Sequence, residues 1–330
     1  MNVFEHLSAT TAAEAIALLG DSGSGEAHVI AGGTDLLTLM KEDLASPRRL
    51  IDLKPARELR YLRFDDDGTL RIGALTTLAQ IERDPDVAQR LPILPASVRD
   101  AATPQLRAMA TVGGNLLQCN RCWYFRGEWQ CWLKGGSECF ARPGQNKYMA
   151  IFDQSPCVAV HPSDLAPALV ALDASVVIEG ASGRRTVAVS ELLQPPTEAR
   201  RSESVLPAGD LIVEVSVAPQ PSGARGVYKK AMDRHAWAFA LASVAAQIAL
   251  EDGVVRHARV ALGGVSNTPW RARAAEDALV GQQLTPERAR EAAALCVEGA
   301  QPLAHNAYKV TLARELVRRA LLEAAGLPIT

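Results

Sequence analysis

No stretch of the chain approaches the ~20 uninterrupted apolar residues of a membrane-spanning helix, so no helical span is expected. Charge of one sign is not in excess either. Lys and Arg number 35 against 37 Asp and Glu, a formal net charge of −2. That balance gives no electrostatic footprint for nucleic acid or an anionic membrane. Met1–His6 carry neither the basic start nor the apolar run of a secretory leader, so the cytoplasm is the expected compartment. Two nucleotide-binding signatures are missing. The absence of GxGxxG argues against a Rossmann dinucleotide site, and that of GxxxxGK(S/T) against a P-loop. There is no internal repeat and no regular βαβ alternation, which points to a mixed α+β pattern. Cysteine is almost absent outside one window: only Cys296 lies beyond residues 119–157.

What is present suits a folded protein of about two domains. The 330 residues are 48% hydrophobic and 22% charged, and a chain this long buries its own core without disulfides. Thr11–Glu14 reads as a capping box for a helix that Gly20 can stop, followed by a Gly/Ser loop at Asp21–Gly25. His28–Ile30 and Arg49–Leu53 read as short strands, with a helix over Leu36–Leu44 between them. Asp67-Gly68 and Ser182-Gly183 mark hairpins. Thr76 or Thr77 caps a helix, Leu165–Leu172 is a short helix, and Leu211–Val217 a strand. Arg99–Thr111 has no clear pattern. Gln194–Pro207 and Pro219–Gly226 are candidate boundaries. Beyond them, Trp237–Leu250 reads as a helix or a long apolar element, and Val254–Leu262 as a strand. Thr285-Pro286 opens a further helix, and Tyr308–Ala325 is the last one.

Five of the six cysteines and three of the five tryptophans (Trp123, Trp129, Trp132) fall in the one window. The order is Cys119-x2-Cys122-x8-Cys131-x7-Cys139-x17-Cys157. In a reducing compartment such clustering points to metal. Four thiolates complete either a tetrahedral zinc site or a [4Fe–4S] cluster, and five leave one over. Cys119-x2-Cys122 is half a zinc ribbon, but no second short pair follows. Cys296 reads as a core residue.

Two Gly-Gly turns carry the next signal. Ala31-Gly32-Gly33-Thr34-Asp35 lies between a strand and a helix, and Thr111-Val112-Gly113-Gly114-Asn115 repeats the type. Each alone is an ordinary turn into a helix cap. Together they can clasp the two phosphates of one dinucleotide, because glycine lets backbone N–H groups approach closely. His161-Pro162-Ser163-Asp164 opens a helix, with Ser163 or Asp164 as its cap. Tyr228-Lys229-Lys230, with Arg234 beyond, reads first as a solvated basic face.

In order and separation these motifs resemble the FAD-binding (medium) subunit of molybdenum hydroxylases, the flavoprotein family of xanthine dehydrogenase, carbon monoxide dehydrogenase and bacterial aldehyde oxidoreductases. The resemblance runs from Ala31–Leu37 through Ile72-Gly73-Ala74, Thr111–Asn115 and Ser163–Ala166 to Tyr228–Arg234 and Ala261–Arg271. Arg121-Cys122-Trp123-Tyr124-Phe125-Arg126 and the cysteine insertion resemble a narrower branch. That branch is the flavin subunit of three-subunit aldehyde oxidoreductases, which carries an extra [4Fe–4S] cluster. The beta subunit of 4-hydroxybenzoyl-CoA reductase is a more distant relative.

The resemblance implies an α+β fold of the molybdopterin dehydrogenase/vanillyl-alcohol-oxidase-like type. A two-lobed FAD-binding domain would span 1–222, with lobes 1–55 and 56–222 and an iron–sulfur insertion at 118–158 projecting from the second. A smaller C-terminal α+β domain with an antiparallel sheet would span 223–330. It further implies that Ala31, Gly32, Gly33, Thr34, Asp35, Thr111, Gly113, Gly114 and Asn115 hold the FAD pyrophosphate. Ser163 and Asp164 would meet the ribityl chain, and Lys230 would lie near the flavin. Cys122, Cys131, Cys139 and Cys157 would bind the cluster, and Cys119 would not. No catalytic acid or base is implied, since the redox chemistry belongs to the flavin. The implied partners are a large molybdopterin-cofactor subunit, a small [2Fe–2S] subunit and an external electron acceptor. A partner with a twin-arginine signal would carry the folded complex to the periplasm. Two rival readings stand beside this one. One is a zinc-stapled assembly module without a redox role. The other is a self-sufficient flavin oxidase, which needs a larger substrate domain than the stretch after Gly226 provides.

Overall fold

The computed structural model describes residues 1–20 and 26–329. The expected Asp21–Gly25 loop lies outside the described residues. Three sheets organise the chain. The first is small and parallel: β1 (Glu5–Ser8), β2 (Ala27–Ile30) and β3 (Arg49–Asp52), in the order β1-β3-β2. Helices Ala12–Gly20 and Leu36–Lys41 link them. Strand and helix therefore alternate here, where the sequence pattern gives no such regularity. Strands of four residues are too short to carry a period.

The second sheet is antiparallel, from β4 (Leu62–Phe64), β5 (Leu70–Gly73), β6 (Ser175–Gly180), β7 (Gly183–Ala188) and β8 (Leu211–Val217), in the order β4-β5-β8-β6-β7. Both hairpin turns fall where Asp67-Gly68 and Ser182-Gly183 place them. The chain leaves this sheet after Gly73 and returns at Ser175, and both the second Gly-Gly turn and the cysteine segment lie in that excursion. Part of it is the helix Pro104–Met109, which Thr103 caps through its hydroxyl.

The third sheet is antiparallel, from β9 (Arg225–Ala231), β10 (Ala242–Glu251), β11 (Val254–Gly263) and β12 (Trp270–Arg271), in the order β12-β11-β10-β9. Helices Arg273–Leu279, Pro286–Leu295 and Tyr308–Ala325 share its core. The expected helix or apolar element at Trp237–Leu250 is β10. Its pattern misleads because both faces are covered. Val244, Ala246 and Ile248 pack with the C-terminal helices, while Ala245 packs with the core of the second lobe. A strand buried on both sides loses its alternation.

Between the second and third sheets lies the helix Leu165–Ala171, all seven residues of which are buried. Burying a Leu or Val side chain stabilises by roughly 1.5–3 kcal/mol, so this helix is fixed mainly by packing. It sets Ser163 and Asp164, which precede it, deep inside the molecule.

The cysteine segment is largely irregular, with one short helix (Trp123–Arg126) and a 3-10 turn (Trp132–Lys134). Its last residues are tied to the C-terminal domain. Asn306 Nδ2 donates to the carbonyls of Met149 and Ala150, and Asn267 Nδ2 to those of Cys157 and Ala159. Gln194–Pro207, a candidate boundary in the sequence, also holds this segment. Arg201 Nη1 donates to the carbonyls of Trp132 and Gly136, and Ser155 Oγ to that of Pro196. Chain-specific polar contacts thus hold in place a segment that has no regular ladder of its own.

Candidate functional site

The two Gly-Gly turns meet. A Cβ on Gly32 would collide with the Met109 carbonyl, just ahead of the second turn. Gly33 has φ +69°, a left-handed conformation that glycine adopts without penalty. Gly32 is therefore required by the approach of protein backbone, not only by a ligand. The N–H groups of Gly32, Gly33, Thr34 and Asp35 have no partner among the described residues. Successive free N–H groups around a left-handed residue form an anion-binding nest. Ala31 leads into this run directly after β2.

The second turn is built differently. Gly113 N–H is already bonded to the Ala74 carbonyl at 3.0 Å, and Thr111 Oγ1 accepts weakly from Gly114 N–H at 3.4 Å. A Cβ on Gly114 would meet only Thr111 Oγ1, at 3.2 Å, so the rest of its surroundings is open. The two turns of the expected clasp therefore differ: the first offers donors, and the second offers an open face.

The second turn is tied to the Ser163 motif. Ser163 Oγ donates to Asn115 Oδ1 at 2.6 Å and accepts from Ala166 N–H at 3.0 Å. Ser163, not Asp164, therefore caps the helix. His161 Nε2 lies 3.2 Å from the Leu116 carbonyl, which assigns the proton to that nitrogen. Burial pushes His161 down to about 4, so the ring is neutral.

Lys230 lies on β9, and its side chain is 1% exposed. The solvated basic face read from the sequence is not formed. Lys230 Nζ donates to Asp164 Oδ2 at 2.8 Å and to the Asp100 carbonyl at 2.9 Å. Tyr228 Oη donates to Asp164 Oδ1 at 2.9 Å. Burial raises the Asp164 pKa in spite of the ammonium beside it. Alternation along β9 sends Lys229 the other way, to Glu323.

Cys122, Cys131, Cys139 and Cys157 line one narrow pocket that opens in part to solvent. Its remaining lining is mostly apolar and aromatic, including Tyr124, Phe125, Trp132, Leu133 and Phe140. Cys119 is not in that lining. Its own N–H is bonded to Asp35 Oδ2, and burial pushes its thiol up to about 11. The Cys139 and Cys157 thiols share a hydrogen bond. That bond and the N–H groups of Val158, Ala141 and Arg142 bring Cys139 down to about 6, while the same bond and burial raise Cys157. Among the described residues, no three or more His, Cys, Asp or Glu side chains gather closely enough for a single metal ion.

The sequence did not single out Glu203. Its Oε1 is buried without a partner, and burial pushes its carboxyl up to about 8. It lies in the Pro- and Ser-rich stretch, where composition gives no sign of burial. Four cations of the cysteine segment are paired elsewhere: Arg121 and Arg126 with Asp35, Lys134 with the Gly127 carbonyl, and Arg142 with Asp153.

Residues 2–220 match the family model described as the FAD binding domain in molybdopterin dehydrogenase, and residues 227–324 the CO dehydrogenase flavoprotein C-terminal domain. The chain is 38% identical to the aldehyde oxidoreductase FAD-binding subunit PaoB of Escherichia coli K12, over 98% of this chain and 99% of that one. It is 30% identical to the carbon monoxide dehydrogenase medium chain of Hydrogenophaga pseudoflava, over 96% of each. A solved structure of carbon monoxide dehydrogenase from Hydrogenophaga pseudoflava superposes with a TM-score of 0.78 at 29% identity, covering 98% of both chains. With both halves of the chain matched and a near full-length relative at 38% identity, the chain belongs to the family of FAD-binding medium subunits of molybdenum hydroxylases.

Proposed function

We propose that the chain is the electron-transfer flavoprotein subunit of a molybdenum-containing hydroxylase of the aldehyde oxidoreductase type. Electrons would enter from [2Fe–2S] centres on a small partner subunit. They would leave to an external acceptor, after substrate oxidation on a large molybdopterin subunit. FAD, when bound, supplies the redox chemistry. The chain's own residues bind and orient it. The free N–H run at Gly32–Asp35 receives the pyrophosphate, the open face at Gly114 accommodates it, and Ser163 fixes the Asn115 amide at its edge. The buried Asp164–Lys230 pair closes the inner wall.

Cys122, Cys131, Cys139 and Cys157 hold a [4Fe–4S] cluster in this reading. The observation that carries it is that these four line one pocket while Cys119 stands outside it. Among the described residues, no three or more His, Cys, Asp or Glu side chains are gathered for a metal ion. That bears equally on the cluster and on the zinc-stapled alternative, so metal analysis decides between them.

The test is purification of the chain with its co-purifying subunits, followed by flavin, iron and zinc analysis. Flavin absorption together with broad iron–sulfur absorption, and iron in excess of what the small subunit holds, is the expected result. A colourless, zinc-containing protein would overturn the proposal.

A further inference from the structure

Asp35 stands immediately before the helix Leu36–Lys41, where an aspartate ordinarily caps the helix with its carboxylate. Here it does not, and no side-chain cap bond is made. Its Oδ2 accepts from Cys119 N–H at 2.8 Å. Its Oδ1 accepts from Arg126 Nη2 at 2.8 Å and from Arg121 Nη1. The Asp35 side chain is 16% exposed and that of Arg126 15%, so these charge-assisted bonds are only partly screened.

The same two arginines fold the segment they come from. Arg121 Nη1 donates to the Cys119 carbonyl at 2.9 Å, and Arg126 Nε to the Asn120 carbonyl at 2.8 Å. Asn120 Oδ1 in turn accepts from Cys122 N–H at 3.1 Å. One carboxylate therefore joins the N–H run at Gly32–Asp35 to the backbone that presents Cys122. Besides the Asp35 bonds, a further polar tie between the first lobe and this segment is Arg126 Nη1 to Thr38 Oγ1, at 3.3 Å.

We propose that Asp35 is a positioning residue that couples the two cofactor sites. Its carboxylate latches Gln118–Cys122 onto the Gly32-Gly33 turn, so that filling the cysteine pocket strengthens FAD binding, and FAD strengthens retention of the cluster. The inference rests on the cluster reading above. Its physical basis is shared ordering: with the latch closed, the ligand that binds first orders both segments, and the second no longer bears that cost. Such coupling is reciprocal by linkage.

The test is a double-mutant cycle in the assembled complex, with Asp35→Asn, Cys131→Ser and the two combined. Iron content and the Kd for FAD are measured in each. Cys131→Ser is expected to raise the FAD Kd about tenfold when Asp35 is present, the scale of one charge-assisted hydrogen bond. With Asp35→Asn in place it should raise it less than about twofold. Asp35→Glu, which keeps the charge, should restore part of the coupling. Iron loss with the same Kd factor in both backgrounds overturns the coupling and leaves the cluster reading standing. Unchanged iron in Cys131→Ser overturns the cluster reading and the coupling with it. Should Asp35→Asn fail to fold, the wild-type complex gives the answer by itself. Stripping iron with a chelator must weaken FAD binding, and removing FAD must speed iron loss. Neither effect appearing overturns the proposal.

Discussion

Lys230 Nζ stands 2.8 Å from Asp164 Oδ2, with the two side chains 1% and 7% exposed. The pair fastens β9 of the C-terminal domain to the start of the central helix Leu165–Ala171. Taking away one partner leaves the other charge buried alone, at a cost of about 3–5 kcal/mol. Lys230→Met is expected to destabilise the protein by that order in chemical denaturation. Combining it with Asp164→Asn should recover a large part of the loss. A double variant no more stable than the single one would show that the two groups do not act as a pair.

The glycine turns give a separable test of FAD binding. Gly33→Val is a poor probe, because φ +69° strains any side chain there whether or not FAD is bound. Gly114→Val is better. Its Cβ meets only Thr111 Oγ1, and its remaining atoms reach into the open face assigned to phosphate. We expect a fall in the flavin-to-protein ratio of at least about tenfold, read by absorbance, with little change in the melting temperature of the flavin-free protein. Full flavin occupancy would remove the pyrophosphate from this face.

The cysteines make a third prediction. Cys131→Ser and Cys139→Ser should each abolish iron binding in this chain, because both line the pocket. Cys119→Ser should spare it, since that thiol lies outside the lining and only its N–H is used. Iron analysis of the three purified complexes decides the matter. Equal loss in all three would show that the ligand set is wrong.

Much of this was legible in the chain because the signals are local. Tyr308–Ala325 follows a helical period over eighteen residues, and the structure places a helix on those residues. The Asp67-Gly68 turn and the strand at β2 are equally local. The cysteine window and the Gly-Gly turns marked where chemistry lies. What could not be read depends on distant pairing. Asp35 looked like a phosphate contact, yet its carboxylate is taken by residues 84–91 positions away. Lys230 looked like a surface cation because nothing nearby in sequence announces Asp164. The Gln194–Pro207 stretch has the composition of a linker, yet Arg201 and Pro196 pin the cysteine segment. No periodicity argument reaches contacts of that kind.

Lys309 offers a pH test that the other sites do not disturb. Its side chain is fully buried, and its ammonium donates to the carbonyls of Tyr148 and Gly264, both at 2.8 Å. The first of these carbonyls belongs to the cysteine segment, and the second to the turn after β11. Burial pulls its pKa down to about 7, from an ordinary value of 10.5. Between about pH 7 and pH 10.5 the unfolded chain therefore holds a proton that the folded chain has released. Stability then rises with pH across that window. Below pH 7 both states are protonated, and the penalty of burying the charge is constant. Lys309→Met removes this titration and leaves the rest. Thermal denaturation of both proteins from pH 6 to about 10 should show the difference shifting toward wild type as pH rises above about 7, and flat below it. A difference constant over the whole range would mean that the amine keeps its proton in the folded protein.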